Sequence, residues 1–295
     1  MAITQRKVSW VLDLDLRKFH DSLDHQWQMK FVGHRVGDPR ILRLIRKFLR
    51  AGVSEDGEWS KTEVGTPQGA VISPLLANIY LHYVLDLWVG WWRKHHACGE
   101  VYFVRYADDV VMGFQHRWEA KCFQKELKER LAQFGLAMHE EKTRLVEFGR
   151  FAIENRQERG EGKPATFDFL GFTHICARKR NGGFTIYRKT IAKRFRAKIK
   201  EVREELYRNR HKSVSEQGGW LKGVMQGYFN YFGVPGNRKA LNTFRRQIQR
   251  SWLFALRRRS QKGRSFTWER MKGLIQSWLP PARTTHPYPN QRLCV

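Results

Sequence analysis

Apolar positions follow two different spacings along the chain, and each spacing predicts a different type of element. In the N-terminal part, apolar and β-prone runs cover residues 8–16 and 101–114, and a short polar turn divides the second run. Such runs predict strands, and the divided run predicts a tight hairpin. Residues 38–49 and 119–134 instead repeat their apolar positions every three or four residues, which predicts amphipathic helices. This mixture predicts an α+β unit, an antiparallel sheet backed by helices.

The helical spacing dominates after about residue 188. Three successive patterns with steps of three and four predict a small helical bundle with basic outer faces. A second hairpin is expected just before this bundle, where Asn181-Gly-Gly183 provides a turn between two strands. Residues 153–166 are polar and rich in glycine, and they predict a loop. We therefore expect two domains, residues 1–187 and residues 188–295.

The charge is unevenly distributed between the two predicted domains. The chain has 55 Lys and Arg against 28 Asp and Glu, which gives a formal net charge of +27. Residues 186–295 hold 26 of the basic residues and 5 of the acidic residues. Such an excess indicates a polyanionic partner, and nucleic acid fits better than an acidic membrane surface. The nearly neutral N-terminal part is then expected to carry the chemistry, and the basic part to hold the nucleic acid.

Cysteine usage and apolar run lengths limit the possible environments. The four cysteines are scattered and form no Cys-x-x-Cys pair, so we expect neither a zinc site nor a disulfide framework. This pattern indicates a reducing compartment. The N-terminus lacks the apolar run of a signal peptide. The longest apolar stretch, residues 75–92, is interrupted by Asn78, His82 and Asp86. It predicts a buried helix and not a membrane span, and we expect no membrane partner.

Four aspartates in the predicted sheet are candidates for chemistry. Asp108 and Asp109 lie in the polar turn of the hairpin. Adjacent carboxylates repel each other, and a divalent cation such as Mg²⁺, which prefers hard oxygen ligands, offsets that repulsion. A solvated turn is the alternative, because Asp is also a common turn residue. Asp13 and Asp15 are two residues apart on the first strand, so they point to the same face, and either could lie across the sheet from the turn.

A second candidate segment is rich in glycine and precedes a helix. Gly65, Pro67 and Gly69 break regular structure, and Ser73-Pro74 predicts the start of a helix. Glycines before a helix N-terminus allow backbone amides to approach a phosphate or a sugar. A plain turn before a helix is the alternative interpretation.

The motifs, in their order along the chain, resemble those of group II intron reverse transcriptases. Residues 106–109 (Tyr-Ala-Asp-Asp) resemble the central catalytic motif of reverse transcriptases, and residues 15–25 are similar to the first metal-binding motif of the intron family. Residues 65–78 resemble the template- and nucleotide-binding motif. Residues 135–148 resemble the motif with a lysine near the triphosphate, and residues 167–172 resemble the primer grip. Each motif alone is a weak signal, but agreement in order makes chance improbable.

The resemblance implies a polymerase palm followed by an all-α basic thumb or maturase domain. It implies an RNA-directed DNA polymerase with two Mg²⁺ ions, or Mn²⁺ in their place, an RNA template, a DNA primer and dNTPs. It also implies intron RNA as a partner, assistance to splicing and a bacterial cytoplasmic location. By this resemblance, the catalytic residues and metal ligands are Asp15, Asp108 and Asp109, with the Leu16 carbonyl as a further ligand. The implied nucleotide or template contacts are His20, Pro67, Gln68, Gly69 and Lys142. The implied primer grip consists of Phe169, Leu170 and Gly171. The basic helices add Lys193, Arg194, Arg196, Lys200, Arg245, Arg246 and Arg250 as expected RNA contacts.

Departures from the family pattern leave other functions open. Family members usually have a large aromatic residue where this chain has His20. In those members the aromatic side chain packs under the sugar of the incoming nucleotide. Ala70 replaces a glycine that many members have. The fingers region that precedes the first acidic motif is missing, so the chain is expected to be a truncated reading frame. The alternative functions are an RNA-binding maturase without polymerase activity and an unrelated basic DNA-binding protein.

Overall fold

The protein, in a computed structural model, divides into two compact units between Ala165 and Thr166. The sequence predicts this boundary at residue 187, where the basic helices begin. The difference arises because the strands within residues 167–190 form a sheet of their own that is tied to the helical unit. The backbone amide of Thr190, for example, donates to Asn237 Oδ1 at 3.1 Å. The structure describes residues 2–50, 53–55, 58–60, 65 and 71–288.

The N-terminal unit is built on a four-stranded antiparallel sheet and also has a separate two-stranded sheet. The described strands of the unit are β1 (Trp10–Leu14), β2 (Val53–Glu55), β3 (Glu58–Ser60), β4 (Val101–Tyr106), β5 (Asp109–Phe114) and β6 (Arg144–Glu147). The sheet has the order β4-β5-β1-β6, and β2 pairs with β3 separately. β1 is therefore central, with Leu14 opposite Val110 and Trp10 opposite Glu147. The predicted α+β arrangement and the predicted hairpin of β4 and β5 are confirmed.

Aromatic side chains fill the core between this sheet and its helices. Phe114 of β5, Trp92 and Phe123 are fully buried, and the Phe123 ring centroid lies 5.0 Å from that of Trp92 and 5.5 Å from that of Phe114. Each such side chain contributes about 1.5–3 kcal/mol through burial. The described helices of this unit are α1 (Ala2–Gln5), α2 (His25–Gly33), α3 (Pro39–Leu49), α4 (Ser73–Leu81), α5 (Leu87–His95), α6 (Arg117–Ala132) and α7 (Ala152–Glu158). A 3₁₀ turn at Phe19–Asp21 precedes α2, and a π-helical turn at His82–Asp86 joins α4 to α5.

Two aspartates fix where the first long helices begin. Asp24 accepts a hydrogen bond from the Trp27 backbone amide at 2.8 Å, and Asp38 accepts one from the Arg40 amide at 2.8 Å. Each cap accepts a hydrogen bond from an amide that has no partner within the helix, and this contributes about 1 kcal/mol to stability. Pro39 follows at the first helical position. The helix that the apolar spacing predicts at residues 38–49 is therefore confirmed as α3.

The predicted loop at residues 153–166 is wrong in its first half. Ala152–Glu158 form α7 although the segment is polar. The carboxylate of Glu147, at the end of β6, provides the reason, because it accepts a hydrogen bond from Asn155 Nδ2 at 2.8 Å and also pairs with Arg159. These contacts bind the polar face of the helix to the sheet, which composition alone does not reveal.

The C-terminal unit consists of a small sheet and a helical bundle. Its strands are β7 (Phe167–Phe169), β8 (Phe172–Arg178) and β9 (Phe184–Thr190), and its helices are α8 (Ala192–Arg208), α9 (Val214–Phe232), α10 (Arg238–Arg257) and α11 (Trp268–Trp278). β8 pairs with β7 and β9 in antiparallel fashion, and this confirms the second predicted hairpin. Trp252 is fully buried in the bundle core, and its Nε1 donates to Gln217 Oε1 at 2.9 Å. In the described part of the chain, every helix is too short or too polar to cross a bilayer.

Burial of His174 on β8 predicts that the small sheet weakens in acid. Burial and the nearby Arg188 guanidinium lower the pKa of His174 from 6.5 to about 4, and its ring stacks on Phe167 at 4.7 Å. In the unfolded chain His174 therefore binds a proton near pH 6.5, whereas in the folded chain it does so only near pH 4. The contribution of neutral His174 to the free energy of unfolding is complete above pH 6.5 and falls as the pH drops towards 4, by at most about 3 kcal/mol.

Urea unfolding of the full chain at pH 7 and pH 4 measures this loss. His174→Phe serves as the matched control, because it keeps an aromatic ring against Phe167 and removes the titration. We expect the variant to lose less stability than the parent chain between the two pH values. An identical loss in both chains would show that His174 does not cause it.

Candidate active site

Asp15 directly follows β1, where the central strand leaves the sheet. The last paired residues of β1 and β5 at this end are Leu14 and Val110, and Asp15 directly follows Leu14 while Asp109 directly precedes Val110. The Asp15 carbonyl accepts a hydrogen bond from the His139 backbone amide at 2.8 Å. The first acidic motif and the catalytic-type hairpin, which are distant in the sequence, are therefore adjacent in the sheet.

The Asp15 carboxylate is paired with the predicted lysine. Lys142 Nζ lies 3.4 Å from Asp15 Oδ2, and the two side chains are 63% and 42% exposed. An exposed pair of this kind contributes only about 0–1 kcal/mol, so its importance is positional. Thr143 fixes the turn that carries Lys142, because its amide donates to the His139 carbonyl at 2.8 Å and its hydroxyl accepts from the Asp15 amide at 3.4 Å. The arrangement places a cation beside the first carboxylate.

Arg105 of β4 holds the turn that carries Asp108. Ala107 has left-handed backbone with φ of 53°, which costs a non-glycine residue about 1–2 kcal/mol. Arg105 Nη1 donates to the Ala107 carbonyl at 3.0 Å and to Asn78 Oδ1 at 2.8 Å. Its Nε and Nη2 donate to the two carboxylate oxygens of Asp86 at 2.7 and 2.6 Å. This bidentate pair fixes the guanidinium, and the guanidinium fixes the strained turn.

Sequence reasoning assigned no role to Arg105 or its partners, although a signal was present. Asn78, His82 and Asp86 interrupt an apolar stretch at steps of four, and residues four apart lie on the same face of a helix. His82 Nδ1 lies 3.5 Å from the Asp86 carboxylate, so all three polar side chains belong to one cluster. A polar stripe on an otherwise apolar helix indicates a buried polar partner.

Gly65 brings the glycine-rich motif against the segment that carries His20. Its amide donates to the Leu23 carbonyl at 2.7 Å, and His25 Nε2 lies 2.6 Å from the Gly65 carbonyl oxygen. Gly65 has φ of +91°, and a Cβ there would lie 2.7 Å from the His20 carbonyl oxygen and 2.9 Å from the Asp21 Cα. Both the backbone conformation and the close approach require glycine. The predicted sugar-contact residue is therefore beside the start of the predicted nucleotide-binding motif.

Gly65→Ala is expected to destabilise this contact by at least about 1–2 kcal/mol, because the left-handed backbone alone has that cost for alanine. Both groups that the new methyl would meet belong to the backbone and cannot rotate away. Faster hydrogen exchange at the Gly65 amide measures the effect. Gly33→Ala is the matched control, because a Cβ at Gly33 meets nothing within 4 Å. Equal exchange in the parent and the Gly65 variant would contradict the expectation.

A comparison with known protein families is consistent with this geometry. The profile of the family described as "Reverse transcriptase (RNA-dependent DNA polymerase)" matches residues 2–174, more than half of the chain. The chain belongs to the reverse transcriptase family. "Group II intron-encoded protein LtrA" of Lactococcus lactis subsp. cremoris is 42% identical over 73 residues, which cover 25% of this chain and 12% of that protein. "Putative COX1/OXI3 intron 1 protein" of Saccharomyces cerevisiae is 28% identical over 186 residues, which cover 47% of this chain and 22% of that protein.

Among solved structures, an apo telomerase from Candida tropicalis is similar, with a TM-score of 0.47 and 11% identity over 92% of this chain and 46% of that chain. The matches to the two curated relatives span less than a quarter of each relative's length. The family assignment therefore depends on the profile match alone.

Reverse transcriptases generally use divalent metal ions, and the donors at this site are chemically suited to them. In the described ranges, no three His, Cys, Asp or Glu side chains are grouped closely enough to hold a metal ion. The carboxylates of Asp15, Asp108 and Asp109 are hard oxygen donors. Oxygen donors of this kind suit a divalent ion that takes its remaining ligands from substrate phosphates. Leu16, the predicted carbonyl ligand, has a buried side chain and forms an antiparallel bridge with Met138.

The predicted nucleotide and primer contacts of this reverse transcriptase fall into three groups. His20 and Lys142 belong to the N-terminal unit, as described above. Pro67, Gln68 and Gly69 lie outside the described residues. The residues predicted as the primer grip belong to the C-terminal unit, where Leu170 and Gly171, with φ of 47° and 79°, form a two-residue turn from Phe169 at the end of β7 into β8. Such a pair of positive φ values is typical of a type I′ hairpin.

The expected RNA contacts of the helical bundle are mostly solvent-exposed. Arg245 differs, because its Nε donates to the Pro280 carbonyl at 3.0 Å and its Nη2 to the Leu279 carbonyl at 3.3 Å. Burial lowers the pKa of Arg245. These contacts give Arg245 a structural role in fixing the segment after α11. The exposed members of the predicted set are Lys193, Arg194, Arg196, Lys200, Arg246 and Arg250.

The aromatic residues at 228–232 are divided between the bundle core and its surface. Tyr228 and Phe229 are buried in the bundle core, and Tyr228 stacks on Phe244. Tyr231 is half-exposed, but its hydroxyl donates to the Leu170 carbonyl at 3.0 Å. The cluster therefore mainly packs the bundle and supports the primer-grip turn.

Proposed function

We propose that this chain carries the catalytic site of an RNA-directed DNA polymerase of the group II intron type. The observation that carries the proposal is the pairing of β1 with β5, which ends at Leu14 opposite Val110, so that Asp15 and Asp109 come next at the same end of the two strands. The family membership supports the same chemistry. In this proposal the N-terminal unit acts as the polymerase palm and the C-terminal unit as the thumb or maturase domain.

Asp15, Asp108 and Asp109, with the Leu16 carbonyl, would hold two Mg²⁺ ions. Bound there, the ions would lower the pKa of the primer 3′-hydroxyl and stabilise the leaving pyrophosphate. Lys142 would neutralise phosphate charge beside Asp15, as its 3.4 Å contact with that carboxylate supports. His20 would lie under the sugar of the incoming nucleotide, near the segment that contains Pro67, Gln68 and Gly69. Arg105 would act as a positioning residue, because it contacts the turn and not the substrate.

The proposed partners are an RNA template with a DNA primer, dNTPs and intron RNA, in the bacterial cytoplasm. Phe169, Leu170 and Gly171 would hold the primer. The exposed basic side chains of α8 and α10 would contact phosphates, so binding is expected to weaken steeply with salt. His20 motivates a second candidate function, a maturase that binds RNA without polymerising, because the family usually has a larger aromatic side chain at the sugar.

Primer extension on an RNA template tests the proposal. We expect cDNA in the presence of Mg²⁺ and none after chelation by EDTA. RNA binding, measured in parallel by filter retention over a range of salt concentrations, reports on folding and on the basic bundle. No cDNA together with intact, salt-sensitive RNA binding would contradict polymerase activity of this chain and support the second candidate. His20→Phe then tests the cause, because gain of extension would assign the defect to that position.

A further inference from the structure

A cleft between α8 and α10 carries two half-exposed aromatic side chains. It has a volume of about 330 Å³ and is lined by Tyr207 and Phe254, which are 56% and 52% exposed. The buried residues Ser251 and Ala255 contribute to its floor. Clefts that bind small ligands have volumes from roughly 300 Å³ upward and combine apolar walls with a few polar groups. Two large rings that face water in one concavity therefore indicate a ligand.

Arginines surround both rings. Arg210 Cζ lies 4.5 Å from the centroid of the Tyr207 ring, and Arg258 Cζ lies 4.4 Å from the centroid of the Phe254 ring. Arg203 is a further cationic lining residue. Among the residues that line the cleft, Glu204 is the single acid, and it lies 3.8 Å from Lys200. The cleft is therefore cationic at its rim and aromatic at its walls.

We propose that this cleft binds an unpaired nucleotide of a single-stranded nucleic acid. The base would stack on Tyr207 and Phe254, because every base has a π-face that an aromatic ring can cover. The guanidinium planes of Arg210 and Arg258 extend these surfaces, and Arg203 would hold the neighbouring phosphate. A base inside a duplex has both faces covered, so the cleft selects unpaired strands.

The surrounding charge favours a nucleic acid over a protein partner. Residues 186–295 carry 26 basic and 5 acidic residues, so a protein would need an extended acidic surface to approach them. The cleft also continues two basic stripes, because residues three and four apart share one face of a helix. A strand that follows these stripes by its phosphates reaches the cleft at their ends. The stripes are Arg196, Lys200, Arg203 and Tyr207 on α8, and Arg246, Arg250 and Phe254 on α10, with Arg258 directly after that helix.

Fluorescence anisotropy with a short labelled oligouridine RNA tests the site in the full chain. Tyr207→Ala with Phe254→Ala is expected to weaken binding by roughly tenfold, since the stacking of one base on aromatic side chains contributes a fold-change of that order. Tyr207→Phe with Phe254→Tyr should retain the affinity. Phe151→Ala is the matched control, because Phe151 is also about half-exposed and has Arg150 5.8 Å from its ring centroid, but it lies in the other unit.

Two further arms separate stacking from charge and identify the strand. The aromatic variant should keep the parental salt dependence, whereas Arg203→Gln should reduce the slope of log affinity against log salt by about 1. A loss for RNA and for DNA of the same sequence supports the site with either strand, and a loss for RNA alone assigns RNA. Unchanged affinity in the aromatic variant, or an equal loss for a duplex, would overturn the proposal and leave the cleft to a protein partner.

This site adds to the RNA binding in the proposed function and does not depend on polymerisation. The anisotropy measurements use no metal ion, primer or dNTP. A chain that fails in primer extension but shows the expected loss in the aromatic variant would refute the polymerase proposal alone. A chain that polymerises with unchanged affinity in that variant would refute this inference alone.

Discussion

Replacing Asp108 with asparagine is expected to lower the rate of primer extension on an RNA template by roughly 10³-fold, because a carboxylate that binds the catalytic ions contributes about 4 kcal/mol to transition-state stabilisation. Asparagine keeps the shape of the side chain and the turn preference of the position, so the fold should be retained. The effect should appear in kcat, since the lost interaction is strongest in the transition state.

Asp13→Asn provides the matched control for Asp108→Asn. Asp13 lies two residues before Asp15 on β1, and it is opposite Val111 in the sheet. Its Oδ2 lies 3.4 Å from Nη2 of Arg144, the residue opposite it on β6. We expect the control to keep most of the extension activity. Equal losses in the two variants would indicate a general effect of negative charge near the sheet and not a metal site.

Replacing Arg105 with leucine is expected to destabilise the N-terminal unit by about 2–3 kcal/mol and to reduce extension strongly. The variant leaves the Asp86 carboxylate without its bidentate partner, and Asp86 is only 26% exposed. The cost lies below the 3–5 kcal/mol of a fully buried pair, because water reaches part of the carboxylate. Extension is affected because the Ala107 carbonyl loses the donor that holds the turn in its left-handed conformation.

The double variant Arg105→Leu with Asp86→Leu separates stability from positioning. Replacing both partners by apolar side chains removes the uncompensated charge and should recover most of the stability. The turn still lacks its donor, so extension should remain low with a nearly unchanged KM. Urea unfolding and single-turnover extension measure the two effects. Full recovery of extension in the double variant would show that Arg105 acts through stability alone.

The fold was largely predictable from the sequence where periodicity and local capping agree. The first strand, the hairpin and α3 follow from apolar runs and from Asp38-Pro39, which are local signals. The helix α11 was not predicted, although Trp268, Met271, Ile275 and Trp278 repeat at steps of three and four. The domain boundary differed because β7 to β9 look like a palm extension in sequence, whereas their packing with the helical unit depends on distant contacts such as Thr190 with Asn237.

The candidate site was predictable only in its charged residues. A pair of adjacent aspartates is visible in any sequence, and the family resemblance located Asp15 and Lys142. The support for the turn was not predicted, because Arg105 is one of 55 basic residues and its partners Asn78 and Asp86 appear as interruptions of an apolar helix. The cleft with Tyr207 and Phe254 was not predicted either. Its residues come from two helices, and aromatic positions on an amphipathic helix usually indicate core packing.

Iron-directed cleavage tests the central claim most directly, because Fe²⁺ bound in place of Mg²⁺ reduces added hydrogen peroxide to hydroxide and a hydroxyl radical that cuts the nearest backbone, while added ascorbate returns Fe³⁺ to Fe²⁺. We predict that the full chain, with primer, template and dNTP bound, is cut at two places, around Asp15 and around Asp108, and that excess Mg²⁺ suppresses both cuts together. Cuts at only one of the two segments, or suppression of one without the other, would contradict a metal centre shared by the two motifs.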